Sequence, residues 1–115
     1  MSEPSLQNRL EQIQESIAAI ESYIGLIQSP EDFLTGQGVM IFDAIVMRLQ
    51  VLGENIKTLY KRKPEMFIDI EKEVISIIRF RDLISHHYEK LDNEIVFEIA
   101  TAYLPILRKK IELLN

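Results

Sequence analysis

An arginine, two histidines and a tyrosine lie close together in residues 79–88, which read Arg-Phe-Arg-Asp-Leu-Ile-Ser-His-His-Tyr. His86 and His87 are the two histidines of the chain. An imidazole can accept or donate a proton near neutral pH, whereas the guanidinium of Arg81 stays charged and offers a planar fork of donors. With the phenol of Tyr88, these groups are suited to holding a phosphate and to moving protons on its esters.

Arg81 stands where the pattern of a helix predicts an aliphatic side chain. Residues at intervals of four and three mark one side of the segment: Ile70, Val74, Ile77, Arg81, Ile84 and Tyr88. A guanidinium cannot lose its charge to escape burial, so it must meet an anion, line a wet cleft or reach water along its stem. The structural alternative is an Arg81 whose stem packs and whose head caps carbonyls or pairs with an acid such as Glu54.

The neighbouring residues also have structural interpretations. His86 and His87 near a helix C-terminus would complement the helix dipole, and Tyr88 could be a core aromatic with its hydroxyl at the rim. A zinc site needs three or four ligands, and adjacent histidines point about 100° apart on a helix. With only two histidines in the chain, we expect no metal site, and we expect no bound cofactor.

The spacing of the motif restricts how its residues can meet. Arg81 and His86 are five residues apart, about 140° around an ideal helix, so they do not converge if the helix is regular. Asp82 precedes His86 by four residues and could contact the imidazole, which would favour its protonated form. We expect Arg81 and His86 to converge through a loosening of the helix near Ser85 and through a second copy of the motif from a partner chain.

Length and composition indicate one globular domain over residues 1–115. The chain is 47% hydrophobic and 27% charged, as is usual for soluble proteins. It has no apolar run near the ~20 residues of a membrane span, and its first residues lack a signal-peptide pattern. We therefore expect a cytoplasmic protein with no membrane partner. Zero cysteines rule out disulfides and thiolate chemistry.

The charge distribution predicts that any contact with nucleic acid is local. A net charge of −5 argues against broad, non-specific binding, which usually requires a basic domain. Basic residues are nevertheless concentrated in two places: Lys57, Lys61, Arg62 and Lys63, and then Arg79, Arg81, His86, His87 and Lys90.

Hydrophobic periodicity predicts an all-α bundle of four main helices plus a short one, and we expect the bundle to be dimeric. The main helices are expected at about residues 5–28, 39–62, 66–86 and from 93 onward. Ser29 and Pro30 should start the short helix as N-cap and first helical residue. Pro105 should kink or split the last helix, because its ring removes a backbone donor.

The second main helix carries more apolar surface than one neighbour requires. One stripe is Ile41, Ile45, Leu49, Leu52, Ile56 and Leu59, and a displaced stripe holds Phe42, Val46, Met47 and Val51. This width predicts burial on two sides, in part against another subunit. Met40, Met47 and Met66 are expected to fill the core.

These residues resemble a known family. Arg81, His86 and Tyr88 are similar to the arginine–histidine signature of HEPN-domain proteins, in the form with a trailing tyrosine seen in HepT-like toxins. Leu52-Gly53-Glu54 resembles the Gly-Glu segment that precedes this signature, and residues 95–99 with Leu104-Pro105 are similar to the family's last helix. The resemblance covers about residues 30–110. This chain differs in having Asp82 where Asn is common and Phe97 where Trp is common.

The resemblance implies a metal-independent endoribonuclease toxin of a toxin–antitoxin pair, acting on RNA as a homodimer whose two motifs line an interface cleft. It implies catalytic roles for Arg81 and His86. It also implies that a minimal nucleotidyltransferase antitoxin silences the toxin by adenylylating Tyr88. Supporting roles are expected for Asp82, His87 and Glu54. The alternatives are a non-catalytic helical module that binds a nucleotidyltransferase or nucleotides, and a purely structural dimer.

Overall fold

Helices make up the architecture of residues 5–114, the part of the chain that the computed structural model describes. The α-helices in this range are α1 Leu6–Ile24, α2 Gln37–Arg62, α3 Glu71–His86, α4 Asn93–Glu98 and α5 Leu104–Leu114. They are linked by the 3-10 helices Pro30–Leu34, Pro64–Ile70 and Tyr88–Lys90, and by a π-helical turn, Ile99–Tyr103. Since α4, the π turn and α5 form one continuous segment, the predicted all-α bundle of four main helices is confirmed.

The first helix is shorter than its apolar pattern suggests. Ser5 caps α1, its hydroxyl accepting a hydrogen bond from the amide of Asn8 at 3.1 Å. The helix ends at Ile24, and the amide of Ile27 bonds to the carbonyl of Ile24 at 3.0 Å in a tighter turn. Because Ile27 is also buried, the hydrophobic spacing continues past the end of the helix. The spacing therefore predicts a helix that is longer than the one observed.

The connection from α1 to α2 packs closely on the start of α2. Ser29 and Pro30 occupy the predicted N-cap and first helical positions of the short helix. The carboxylate of Asp32 accepts hydrogen bonds from the amides of Gln28 and Ser29, at 2.9 and 3.3 Å. Gly38 in the first turn of α2 lies against the carbonyl of Asp32, in space that a β-carbon would need. Only glycine allows this approach.

The predicted third helix, residues 66–86, consists of two elements. Pro64–Ile70 is a 3-10 helix that bends at Phe67 (φ −122°, ψ 16°), and the α-helix begins at Glu71. The bend accompanies complete burial of the Phe67 ring in the core. Side-chain burial thus overrides a continuous helix here, and this explains the later start of α3.

Pro105 disturbs the last helical segment without breaking it. Asp92 caps α4 by accepting hydrogen bonds from the amides of Glu94 and Ile95, at 2.7 and 3.4 Å. The π turn lies just before Leu104 and Pro105, where the missing proline amide leaves the regular ladder incomplete. The predicted split at Pro105 therefore takes the form of one widened turn.

The core contains apolar side chains from every main helical segment. Its largest fully buried members are Leu10, Ile13, Ile17, Ile20, Ile45, Leu49, Leu52, Ile56, Phe67, Ile77, Ile99 and Leu104. The expectation that methionines fill this core is wrong for two of them, since Met40 and Met47 are 71% and 69% exposed. Within the described range, no helix combines the length and apolar character needed to cross a membrane.

Candidate active site

Four polar contacts join the region of α3 to α2. In order along α2 they are Tyr88 Oη to Asp43 Oδ1 at 2.8 Å, Arg81 Nη2 to Glu54 Oε2 at 2.9 Å, Lys57 Nζ to Asp82 Oδ1 at 3.0 Å, and Tyr60 Oη to Glu71 Oε2 at 2.7 Å. From the first of these contacts to the last, the partner shifts from Tyr88 back to Glu71 as α2 runs forward. The two helices are therefore antiparallel, and the motif lies along one side of α2.

Arg81 is held in place by two carboxylates. Its Nη2 bonds to Glu54 and its Nη1 lies 3.3 Å from Asp82 Oδ1, with the side chain 20% exposed. The hydrogen bond to Glu54, aided by Asp82, keeps the pKa of Arg81 above its ordinary value despite partial burial. The pairing with Glu54 considered as the structural alternative is thus present. It leaves a permanently charged guanidinium at the surface.

Gly53 allows the stem of Arg81 to cross α2. A β-carbon at position 53 would collide with Cβ and Cγ of Arg81. Since Glu54 is the next residue, the Gly53-Glu54 pair serves Arg81 in two ways. The glycine gives the stem room, and the glutamate fixes the head.

Asp82 pairs with cations rather than with His86. It accepts from Lys57 and from Arg81, and these interactions, that of Lys57 above all, hold the pKa of Asp82 below its usual range. No contact between Asp82 and His86 is present within residues 5–114, so the predicted support of His86 by Asp82 is wrong within one chain. The carboxylate was expected to orient an imidazole four residues away, but the lysine on α2 competes for it.

His86 is the last residue of α3 and is exposed. The helix stays regular through Ser85 and breaks only at His87 (φ −144°, ψ 53°), whose amide bonds to the carbonyl of Leu83 at 2.7 Å. The predicted loosening near Ser85 is therefore not found. Within one chain, Arg81 and His86 remain about 140° apart around α3 and do not converge.

His87 also lies at the surface, beyond the last turn of α3. Its Nδ1 is 3.9 Å from Glu89 Oε1, a contact that is an ion pair only when the imidazole is protonated. This neighbour faces the connection to α4 rather than Arg81, and no contact between His87 and Arg81 occurs within residues 5–114.

Tyr88 is half-exposed rather than a core aromatic, with 52% of its surface accessible. Its hydroxyl donates to Asp43, and this hydrogen bond, with partial burial and the carboxylate charge, raises the pKa of Tyr88. Sequence reasoning did not single out Asp43. A signal did exist, because Asp43 and Glu54 are the two acidic residues of α2 and Glu54 already pairs with the motif.

An exposed apolar ridge runs beside these contacts on α2. It consists of Met40, Met47 and Val51, all of which expose large hydrophobic side chains. On an ideal helix these residues lie about 50° around from Asp43 and Glu54, whose own separation along the axis is about 16 Å. Of the second stripe expected on α2, Met47 and Val51 are exposed, whereas Val46 is buried in the core and Phe42 packs against it.

The residues assembled here can bind anions and move protons. No group of three or more histidine, aspartate or glutamate side chains within residues 5–114 could hold a metal ion. The cations available to a phosphate are Arg81 and Lys57, and His86 is an accessible proton-transfer group.

Comparison with known proteins agrees with this arrangement. The family model described as Ribonuclease HepT-like matches residues 13–114, which include the Gly53-Glu54 pair and the segment from Arg81 to Tyr88. No curated protein and no solved structure gives a significant match. Because the family match spans most of the sequence, the chain belongs to the HepT-like ribonuclease family, as its resemblance to HEPN-domain proteins predicted.

Proposed function

We propose that the chain is a metal-independent endoribonuclease, the toxin of a toxin–antitoxin pair, which cleaves RNA with Arg81 and His86. Family membership supports the ribonuclease activity. The main structural support is the permanently charged guanidinium of Arg81. Its stem packs on Gly53, and Glu54 accepts a hydrogen bond from its head. Such a fixed positive group is what a phosphoryl transition state requires.

In the proposed reaction, the 2′-hydroxyl attacks the neighbouring phosphorus and the bond from phosphorus to the 5′-oxygen breaks. One imidazole accepts the proton of the 2′-hydroxyl, and a second donates a proton to the leaving oxygen. Arg81 stabilises the negative charge that develops on the non-bridging oxygens. The products are a 2′,3′-cyclic phosphate and a free 5′-hydroxyl, and no step requires a metal ion.

Phosphate must compete with Glu54 for the guanidinium. Both terminal nitrogens of Arg81 already face carboxylates, but the side chain of Glu54 is 63% exposed. An exposed ion pair contributes little stability, so Glu54 can rotate into water when a phosphate arrives. Lys57, paired with Asp82 beside Arg81, adds positive charge to the same spot.

The proposed enzyme is a homodimer, because one chain does not bring Arg81 and His86 together. The ridge of Met40, Met47 and Val51 is the surface proposed to meet its two-fold copy, since burying it removes exposed apolar area beside the motif. In that arrangement, Arg81 of one chain faces His86 of the other. Two imidazoles are then available for the two proton transfers.

A cleavage assay on protein treated with a chelator tests this function. The purified chain is incubated with end-labelled RNA in the presence of EDTA, and the product ends are identified by mass spectrometry. We expect cleavage that leaves cyclic phosphate and 5′-hydroxyl ends and that disappears in Arg81→Ala. Cleavage that stops with the chelator, or that persists in Arg81→Ala, contradicts the proposal.

Tyr88 is the proposed site of control by a minimal nucleotidyltransferase antitoxin. Tyr88 is half-exposed, and its hydroxyl attacks the α-phosphorus of ATP, pyrophosphate leaves, and the phenolic proton passes toward Asp43. The attached AMP adds negative charge and a bulky purine beside the motif, which repels RNA. Intact mass should rise by about 329 Da per AMP with the partner enzyme and ATP. The same gain in Tyr88→Phe would assign the modification elsewhere.

The second candidate is a non-catalytic module that binds a nucleotidyltransferase or nucleotides. It is favoured by the pairing of both terminal nitrogens of Arg81 with carboxylates within one chain. In that case Arg81 and the histidines hold a phosphate without cleaving it. The two functions differ in one measurement, because only the ribonuclease shortens RNA in the chelator assay.

A further inference from the structure

A groove lies between the second half of α2 and the middle of α3, next to the motif. Its volume is about 450 Å³, within the range typical of ligand sites. The lining residues are Lys57, Tyr60, Lys61, Ile75, Ile78 and Arg79. A second depression of about 560 Å³ extends it over Lys57, Thr58, Lys61 and Arg62.

The groove combines an apolar floor with a basic rim. Ile75, Ile78 and the ring of Tyr60 are partly buried, whereas Lys61 and Arg79 are exposed. Tyr60 directs its hydroxyl to Glu71, so the ring is fixed. Among the described residues, neither Lys61 nor Arg79 has an ion-pair partner. These two basic charges of a chain with net charge −5 therefore stay available to an anionic ligand.

This combination matches the chemistry of single-stranded nucleic acid. Bases stack on aromatic and apolar surfaces with little sequence preference, and the backbone phosphates require cations at the edges of such a surface. A protein partner would also cover an apolar floor. However, two unpaired cations on an acidic protein favour an anionic occupant.

We propose that this groove binds the single-stranded RNA that flanks the cleavage site, with a base on Tyr60 and Ile78 and phosphates on Lys61 and Arg79. The inference rests on the proposed function only in taking RNA as the ligand. Lys57 links the two sites, because it lines the groove and its Nζ lies 3.0 Å from Asp82, the acid that also pairs with Arg81. The Lys57 side chain therefore borders both the motif and the groove, so RNA that leaves the motif can pass directly into the groove.

Binding of an uncleavable RNA tests the groove separately from catalysis. A 2′-O-methyl oligonucleotide is titrated by fluorescence anisotropy against wild type, Lys61→Ala, Arg79→Ala and the double variant. Lys109→Ala is the matched control, since it removes one exposed positive charge from α5 on another part of the chain. All substituted residues are exposed, so the variants should melt like wild type.

We expect the double variant to bind about tenfold more weakly at low salt. Each lost phosphate contact should also reduce the slope of log K against log salt by about 0.7. Lys109→Ala should bind like wild type. A double variant that binds the oligonucleotide no more weakly than Lys109→Ala overturns the inference.

Cleavage kinetics separate this inference from the proposed function. On a long RNA the double variant should raise KM, while a dinucleotide that reaches only the motif should be cleaved at the wild-type rate. Groove-dependent binding by a protein that never cleaves RNA supports the groove and refutes the nuclease. Cleavage of the long RNA with an unchanged KM in the double variant supports the nuclease and refutes the groove.

Discussion

Gly53 of α2 lies directly beneath Arg81 of α3, and a β-carbon at position 53 would lie 2.8 Å from Cγ of Arg81 and closer still to its Cβ. The position of the guanidinium at the surface thus depends on the absence of one methyl group on the opposite helix. Glu54, one residue later, accepts a hydrogen bond from that guanidinium at 2.9 Å. Adjacent residues of α2 therefore position Arg81, Gly53 by packing against its stem and Glu54 by pairing with its charge.

Gly53→Ala should destabilise the protein by about 1–3 kcal/mol, because the methyl group forces α2 and α3 apart. It should also reduce cleavage, since Arg81 is displaced. Thermal unfolding followed by circular dichroism measures the first effect. Gly25→Ala is the matched control, because a β-carbon there meets only ordinary contacts, at 3.5 and 3.6 Å. Equal stability of the two variants would contradict the close packing of Arg81 on Gly53.

His86→Ala should lower the rate of RNA cleavage by about 10²–10⁴-fold, the usual contribution of general acid–base catalysis. Stability should not change, because His86 is exposed at the end of α3. His87→Ala provides the comparison, since it removes an adjacent exposed imidazole that faces Glu89. A loss of rate in His87→Ala as large as that in His86→Ala would contradict the assignment of proton transfer to His86.

Asp43→Asn should move the titration of Tyr88 to lower pH. The hydrogen bond to Asp43, partial burial and the carboxylate charge raise the pKa of Tyr88, so folding favours its protonated form. The stability that results is fully present below the ordinary tyrosine pKa of about 10 and is lost as pH rises through the higher folded-state pKa. Removing the Asp43 charge should shrink this dependence in the alkaline range.

Ring-carbon NMR of labelled tyrosine measures this titration residue by residue. Tyr60 is an internal control, because its pKa is raised by a different acid, Glu71, and should not respond to Asp43→Asn. An unchanged Tyr88 titration in the variant would show that Asp43 does not hold the phenol in solution.

Met47→Glu should separate the proposed dimer. An unpaired carboxylate buried in an interface costs about 3 kcal/mol or more, which raises the dissociation constant about a hundredfold. Sedimentation equilibrium measures this change, and helix content should stay constant because Met47 is exposed in the single chain. Leu113→Glu, at an exposed position on α5, is the control and should leave the dimer intact. A dimer unaffected by Met47→Glu would place the interface elsewhere.

Much of the fold was predictable from local physical rules. The start of the short helix at Ser29 and Pro30 follows from backbone chemistry within a few residues. The extents of α1 and α3 were wrong because burial of Ile27 and Phe67 continues the apolar spacing outside regular helix. Periodicity records which side chains are buried, and it does not show where the backbone leaves the helix.

The candidate site was predictable in its members and less so in its contacts. The pair of Arg81 with Glu54 was anticipated, because a charge at a core position requires a partner. The contacts of Tyr88 with Asp43 and of Lys57 with Asp82 join residues 45 and 25 positions apart. They depend on the packing register of α2 and α3, which one sequence does not reveal. The exposed Met40 and Met47 reflect the same difficulty, since the apolar pattern is the same whether a residue packs in the core or against a partner chain.

The most direct measurement is complementation in a mixed dimer. Arg81→Ala and His86→Ala chains with different tags are co-expressed, and the heterodimer is purified. If Arg81 of one chain works with His86 of the other, the mixed dimer keeps one guanidinium and one imidazole that face each other, although it lacks the second imidazole. Cleavage should then rise at least about tenfold above either variant homodimer while staying below wild type. A heterodimer no more active than the mean of the two homodimers would contradict a site shared between two chains.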